Sequence, residues 1–255
     1  MITALFAFLG YVASVLLLHR QEKTTDIALV SAMGIGIAAH LAQVLMRLNG
    51  VMYDVSVMNV LTLTAACMTI IGAVRYFIHA DSVAYTVVAL VAAVCVWFPV
   101  FFKAPLTAVN SWSLKVHITL SIAAYIALGF AALYACLLLL QDYRLRRARR
   151  MFRLNLPLNY LERTMMSFTV FGELLLTLSL ATGLLFIRDL WGQHIVHKVV
   201  FGAVAWLVIA ILLFRHYHQG FRGRRAAIVL LGGFACLVLS YFGSAFVLQM
   251  VLHKV

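Results

Sequence analysis

The chain has 255 residues, 65% of them hydrophobic, and a mean hydropathy of +1.02. That excludes a soluble globular domain, in which about half of the residues are apolar. The formal net charge of +12 does not point to nucleic acid, because the basic residues gather in short stretches between apolar runs.

Eight apolar runs follow one another, at residues 2–18, 27–46, 56–74, 83–102, 115–139, 167–187, 197–214 and 226–250. Each is near the ~20 residues that carry a helix across a bilayer. A helix satisfies its own backbone hydrogen bonds in lipid, so the expected fold is all-α, a polytopic transmembrane bundle of about eight spans. One integral-membrane domain over 1–255 is expected. The first run has no basic segment before it and no small-residue cleavage pattern, and reads as a span, not a removable leader.

With the N-terminus outside, fourteen of the 20 basic residues fall on the inner side, including the stretches "YRLRRARRMFR" and "RGRR". Arg47, Lys103, Lys115, Arg188, Lys198 and Lys254 fall on the outer side. The positive-inside rule then places both termini on the outer, periplasmic side. The arginine stretches read as topology anchors near anionic lipid. One inner loop is long, about 141–166. Pro157 divides it, and Leu158, Leu161 and Met165 repeat on one face of its second half, which suggests an interfacial helix that runs on into span six.

Ionisable and polar residues inside lipid spans are costly and mark candidate sites. His40 lies in the outer third of span two, with Gln43 one turn on and Gly34, Gly36, Ala38 and Ala39 nearby, which permit close helix approach. His117 opens span five. Ser113, Ser121 and Tyr125 share its face at i−4, i+4 and i+8. An imidazole at either place reads as a metal or haem-iron ligand or as an interhelical hydrogen bonder. Glu173 is an acid deep in span six and reads as a proton relay or a paired group. His216 and His218 stand where span seven leaves the inner face. His194 and His197 lie in an outer loop beside Trp191, and His253 ends span eight. His19 and His79 read as solvated loop residues.

Cys67, Cys95, Cys136 and Cys236 are isolated within spans and read as small packing residues. No CxxC or CxxCH occurs, which excludes a thiol–disulfide carrier and a c-type cytochrome. No Ser–His–Asp arrangement, phosphate-cradling loop or carboxylate pair is present, and no catalytic residue is assigned. The chain reads as a binding protein and not an enzyme, with a part in a haem-attachment system left open.

The block "LKVHITLSIAAYIALGFAALYACLLLLQDYRL", the block "HKVVFGAVAWLVIAILLFRHYHQGFRGRRAAIVLLGGFACLVLSYFG" and the middle stretch "LERTMMSFTVFGELLLTLSLATGLLF" resemble the cytochrome c assembly superfamily of CcsA, ResC and CcmC. The likeness is greatest to its YpjD and HemX branch. The resemblance implies a multi-pass protein of the bacterial inner (cytoplasmic) membrane that binds non-covalent b-type haem and presents it at the outer face. It maps one outer iron ligand onto His117, followed by Tyr125. It maps the second onto His253, after Phe242-Gly243. An inner histidine near Trp206 falls within two residues of His216, and His40 and His216 are the candidates for haem arriving from the inner side. The family's Trp-Gly-x-x-Trp-x-Trp-Asp-Pro-Lys platform is reduced here to "LWGQHIVHK", which keeps Trp191-Gly192 and Lys198. Implied partners are haem, membrane lipid, and a cytochrome c assembly partner or a cytosolic protein at the Arg144–Arg153 loop, with no nucleic acid.

Three alternatives remain at this point. One is a non-enzymatic membrane adaptor or regulator of tetrapyrrole synthesis, as HemX-like relatives suggest. Another is a b-type cytochrome using His40 and His117. The third is a solute transporter, for which Glu173 is the cue.

Overall fold

The computed structural model describes residues 1–20, 26–47, 52–53, 56–102, 107–108, 111–147, 156–186 and 196–240. The chain forms two compact units, Met1–Asn110 and Ser111–Val255.

The first unit contains α1 (Ile2–His19), α2 (Asp26–Arg47), α3 (Val57–His79), α4 (Ser82–Cys95) and the four-residue α5 (Phe98–Phe101). A two-residue antiparallel pairing joins β1 (Met52–Tyr53) to β2 (Thr107–Ala108). The fourth apolar run bends at Val96–Trp97, because Pro99 in the first turn of α5 has no N–H to continue the α4 ladder. α1 packs on α2 and α4, and α3 on α2 and α4. Small residues set these distances. A Cβ on Gly10 would stand 2.5 Å from the backbone nitrogen of Gly36, so α1 and α2 meet backbone to backbone. Alanines dominate the buried cluster, among them Ala4, Ala7, Ala65, Ala73, Ala89, Ala92 and Ala93, with Tyr11 and Tyr85 filling the space between.

The α3–α4 connection is a tight turn. Ala80 closes α3 in the left-handed region at φ 53°. Fully buried Asp81 caps α4, its Oδ1 accepting from the Ala84 N–H at 3.1 Å, while Arg75 Nε lies 3.8 Å from Oδ2. This satisfies one orphan amide of the helix and pairs a charge that lipid would penalise.

The second unit contains α6 (Trp112–Arg147), α7 (Leu158–Phe186), α8 (Val196–Gln219) and α9 (Gly223–Val238). α6 pairs with α7 and α9, and α8 with α7 and α9. Gly172 of α7 seats against Leu128 of α6, and Phe168 stacks on Phe130 at 5.0 Å. Between α8 and α9 the chain reverses through Gly220 and Gly223, both at φ 64°, a conformation that favours glycine.

Among the described residues, seven helical stretches are long and apolar enough to cross a membrane: Ile2–His19, Ile27–Met46, Met58–His79, Ser82–Phe101, Trp112–Arg146, Leu158–Leu185 and Val199–Gln219. These correspond to the first seven expected spans. The eighth is represented by α9, whose continuation lies outside the described residues. The protein is a multi-pass, helical membrane protein. Several helices overrun the apolar runs. α6 reaches Arg147, α8 reaches Gln219, and α7 starts at Leu158, because polar and basic side chains extend a helix into the interface as readily as apolar ones extend it through lipid. Leu161 and Met165, on the expected interfacial face of α7, are fully buried. Cys136, expected as a small packing residue, instead lies exposed on the outside of its helix, while Cys95 is buried.

Candidate functional site

His117 lies one turn into α6 and turns toward α7. Its Nδ1 is 3.0 Å from the Ser179 carbonyl and 3.3 Å from Thr182 Oγ1. A carbonyl only accepts, so Nδ1 carries the hydrogen and Nε2 keeps a lone pair. Gly183 makes room for the ring, since a Cβ there would stand 3.0 Å from Cε1. One turn deeper, Ser121 Oγ donates to the His117 carbonyl and meets Ser179 Oγ at 2.7 Å. Tyr125 donates to the Leu237 carbonyl at 2.6 Å, tying α6 to the last turn of α9. The polar stripe of α6 thus serves two neighbours, α7 through His117 and Ser121 and α9 through Tyr125.

Thr182, which meets His117, also lines an open depression of about 620 Å³ together with Ser111, Trp112, Ser113 and Val116. Trp112 is largely exposed at its rim. The arrangement offers a neutral imidazole, held in one tautomer by a backbone carbonyl, one residue away from a hollow of mixed polar and apolar lining. Such an imidazole fits axial ligation of a metal or haem iron.

His40 belongs to the first unit and is fully buried. Its Nδ1 is 2.9 Å from Tyr11 Oη, which also meets Thr69 Oγ1 at 3.1 Å. Thr69 gives its own hydrogen to the Ala66 carbonyl at 2.8 Å. Tyr11 Oη thus bridges His40 of α2 and Thr69 of α3. Nε2 is buried, and the Thr62 backbone is the polar group beside the ring on that side. Gln43 donates to the Val96 carbonyl at 2.8 Å, and its Oε1 is buried and unpartnered.

The other sequence candidates are placed differently. His216 Nδ1 donates to the Phe221 carbonyl at 3.0 Å and closes the α8–α9 turn, so its local task is to hold that reversal. His218 lies exposed against Phe214, ring centroids 4.6 Å apart. His19 is exposed and bonds the Val15 carbonyl of its own helix. His253, His194 and the Trp191-Gly192 remnant lie outside the described residues. Among the described residues, no group of three or more His, Cys, Asp or Glu side chains is gathered as a metal site.

Sequence reasoning missed Tyr11, Ser179 and Gly183. Tyr11 carried no signal because an aromatic ring in a span reads as apolar. Ser179 acts through its backbone, which no side-chain pattern reports.

A helical membrane bundle with single, tautomer-fixed imidazoles and no catalytic constellation among the described residues is the class defined by this fold and site. The chain belongs to the cytochrome c assembly protein family, whose model matches residues 3–252. It is 42% identical over 137 residues to the inner membrane protein YpjD of Escherichia coli K12, covering 53% of this chain and 52% of that protein. An uncharacterized 28.8 kDa protein of Azospirillum brasilense is 30% identical over 143 residues, 54% of this chain and 53% of that one. The cytochrome c biogenesis protein CcsA of Prochlorococcus marinus is 34% identical over 74 residues, 28% of this chain and 23% of that one. The chain thus spans about half the length of the first of these relatives. No solved structure matches.

Proposed function

We propose that the protein handles haem in the bacterial inner membrane and presents it at the outer face, where His117 and His253 would hold its iron. The observation that carries this reading is His117, with Nδ1–H engaged by the Ser179 carbonyl, the ring seated on Gly183 and Nε2 left with its lone pair. Membership of the cytochrome c assembly family supports it, as do the names of the relatives in E. coli and Prochlorococcus.

When bound, haem supplies an iron centre that takes two imidazole nitrogens and changes oxidation state. The chain supplies orientation. The Ser179 carbonyl keeps Nε2 deprotonated and strengthens the ligand. His40 and His216 remain the candidates for haem arriving from the inner side. Each already has a local partner, His40 in Tyr11 and His216 in the Phe221 carbonyl, which a ligand would have to share.

The test is the absorption spectrum of detergent-purified protein from haem-replete cells, with and without dithionite, beside His117→Ala and His253→Ala. A Soret band that weakens or shifts in both variants is expected. No band in the parent protein overturns the reading.

A second reading, an adaptor or regulator of tetrapyrrole synthesis, is favoured by one observation. α6 runs to Arg147, which holds the start of the Arg144–Arg153 stretch out from the membrane on a rigid helix. Neutralising that stretch would then abolish cross-linking to a cytosolic partner while the fold persists.

A further inference from the structure

The second unit buries a carboxyl group that the haem reading does not use. Glu173 on α7 is 7% exposed, and both of its oxygens are shut off from solvent with no hydrogen-bond partner. The neighbouring donors are engaged elsewhere. Thr169 Oγ1 gives its hydrogen to the Met165 carbonyl, and Thr177 Oγ1 gives its own to the backbone carbonyl of Glu173. From α8, Trp206 Nε1 donates to Thr177 Oγ1 at 2.9 Å. From α6, the side chain beside this level is Leu128, against Gly172, and Tyr125 is committed to the Leu237 carbonyl. No described Lys, Arg or His forms an ion pair with Glu173.

A bare carboxylate in such surroundings is untenable. The cost of stripping its water far exceeds what packing returns, so a buried charge is compensated. We propose that Glu173 is a cation site within the membrane span, its charge matched by one bound positive ion taken up from water, a proton or an alkali-metal ion. A proton needs only one carboxyl oxygen. An alkali-metal ion is a hard, oxygen-seeking cation. Thr169 and Thr177 stand one turn to either side on the same helix face, about 12 Å apart, so one of the two hydroxyls at most would join the carboxyl on such an ion. The site stands six residues inward of Ser179, about 9 Å along the helix from the carbonyl that orients His117.

The experiment uses the full chain in lipid vesicles and dicyclohexylcarbodiimide, which adds to a protonated carboxyl in apolar surroundings and leaves a stable acylurea seen by mass spectrometry. Labelling of Glu173 that is indifferent to sodium and potassium identifies a bound proton. Labelling in alkali-free buffer that falls saturably as sodium or potassium is added identifies an alkali-metal site. Either result supports the proposal, and Glu173→Gln removes the label in both. Absence of label in every buffer overturns it. Thermal unfolding gives a second readout, because the neutral amide mimics a compensated carboxyl. Glu173→Gln is expected to melt like the parent in alkali-free buffer. A large drop in its melting temperature, independent of salt, would show a carboxylate paired with a cationic side chain and would also overturn the proposal.

Discussion

His117 owes its ligand-ready state to a carbonyl 62 positions away in the chain, and Gly183 supplies the space in which the ring sits. Gly183→Ala separates binding from folding. The new methyl would meet Cε1 at 3.0 Å, so the imidazole must shift by a few tenths of an ångström. Alanine meanwhile stabilises the helix by about 1 kcal/mol relative to glycine. The expected outcome is a roughly tenfold loss of haem affinity, of the size seen when a ligand's supporting contacts are disturbed, with thermal stability kept or raised. Haem titration and thermal unfolding on the same variant check both signs. Tyr11 makes a contrasting case. Tyr11→Phe keeps the ring but removes the hydroxyl that serves His40 and Thr69 together. Hydrogen bonds between membrane helices contribute on the order of 0.6 kcal/mol each, so a loss of about 1 kcal/mol in detergent unfolding is expected, with the His117 spectrum unchanged. Neither relation was legible in the sequence. The polar stripe through Ser113, His117, Ser121 and Tyr125 showed that His117 faces a neighbour, but not which atom of that neighbour it meets.

The helices themselves were legible because lipid leaves a segment few choices. A run of apolar residues near the bilayer's length must be a helix, and seven runs became one. Their ends were not, since hydropathy falls where side chains meet water while backbone hydrogen bonding continues. α6 therefore passes residue 139 and reaches Arg147. How closely helices approach was half legible. Gly34 and Gly36 suggested a close crossing, and only Gly36 makes it, facing Gly10 and Tyr11, whereas nothing lies within 4 Å of a Cβ at Gly34. This pair gives a prediction with opposite signs. Gly10→Ala drives a methyl to 2.5 Å from the Gly36 backbone, and backbone cannot rotate aside as a side chain can, so α1 and α2 must separate. The expected cost is about 1–3 kcal/mol, the usual range for overpacking. Gly34→Ala meets no obstacle and is expected to gain up to about 1 kcal/mol from helix propensity. Chemical unfolding of the two variants in one detergent measures the difference. Equal effects would mean that the α1–α2 contact does not hold the unit together.

Charge orients the whole molecule, and α6 tests that orientation directly. Its 36 residues extend about 54 Å, well beyond the ~30 Å hydrocarbon core, so its two ends emerge on opposite sides. Trp112 and Lys115 mark one end. Arg144, Arg146 and Arg147 mark the other, where the field of anionic lipid and the insertion machinery retain positive charge on the inner side. Ser111 and Arg146 are both exposed, Ser111 bonding Ser113 and Arg146 pairing with Asp142 in their own immediate sequence. Cysteine at either place should leave the fold intact. In intact cells of a strain lacking the outer membrane, Ser111→Cys is expected to react with a membrane-impermeant maleimide, and Arg146→Cys only after the inner membrane is opened. The native cysteines lie within the helical spans and give a low background. The same result bears on the haem reading, because Ser111 borders the hollow that Thr182, which meets His117, also lines. If Arg146→Cys were the one labelled from outside, His117 would open toward the cytoplasm. Presentation of haem at the outer face would then fail, although nothing in the local geometry of His117 would have changed.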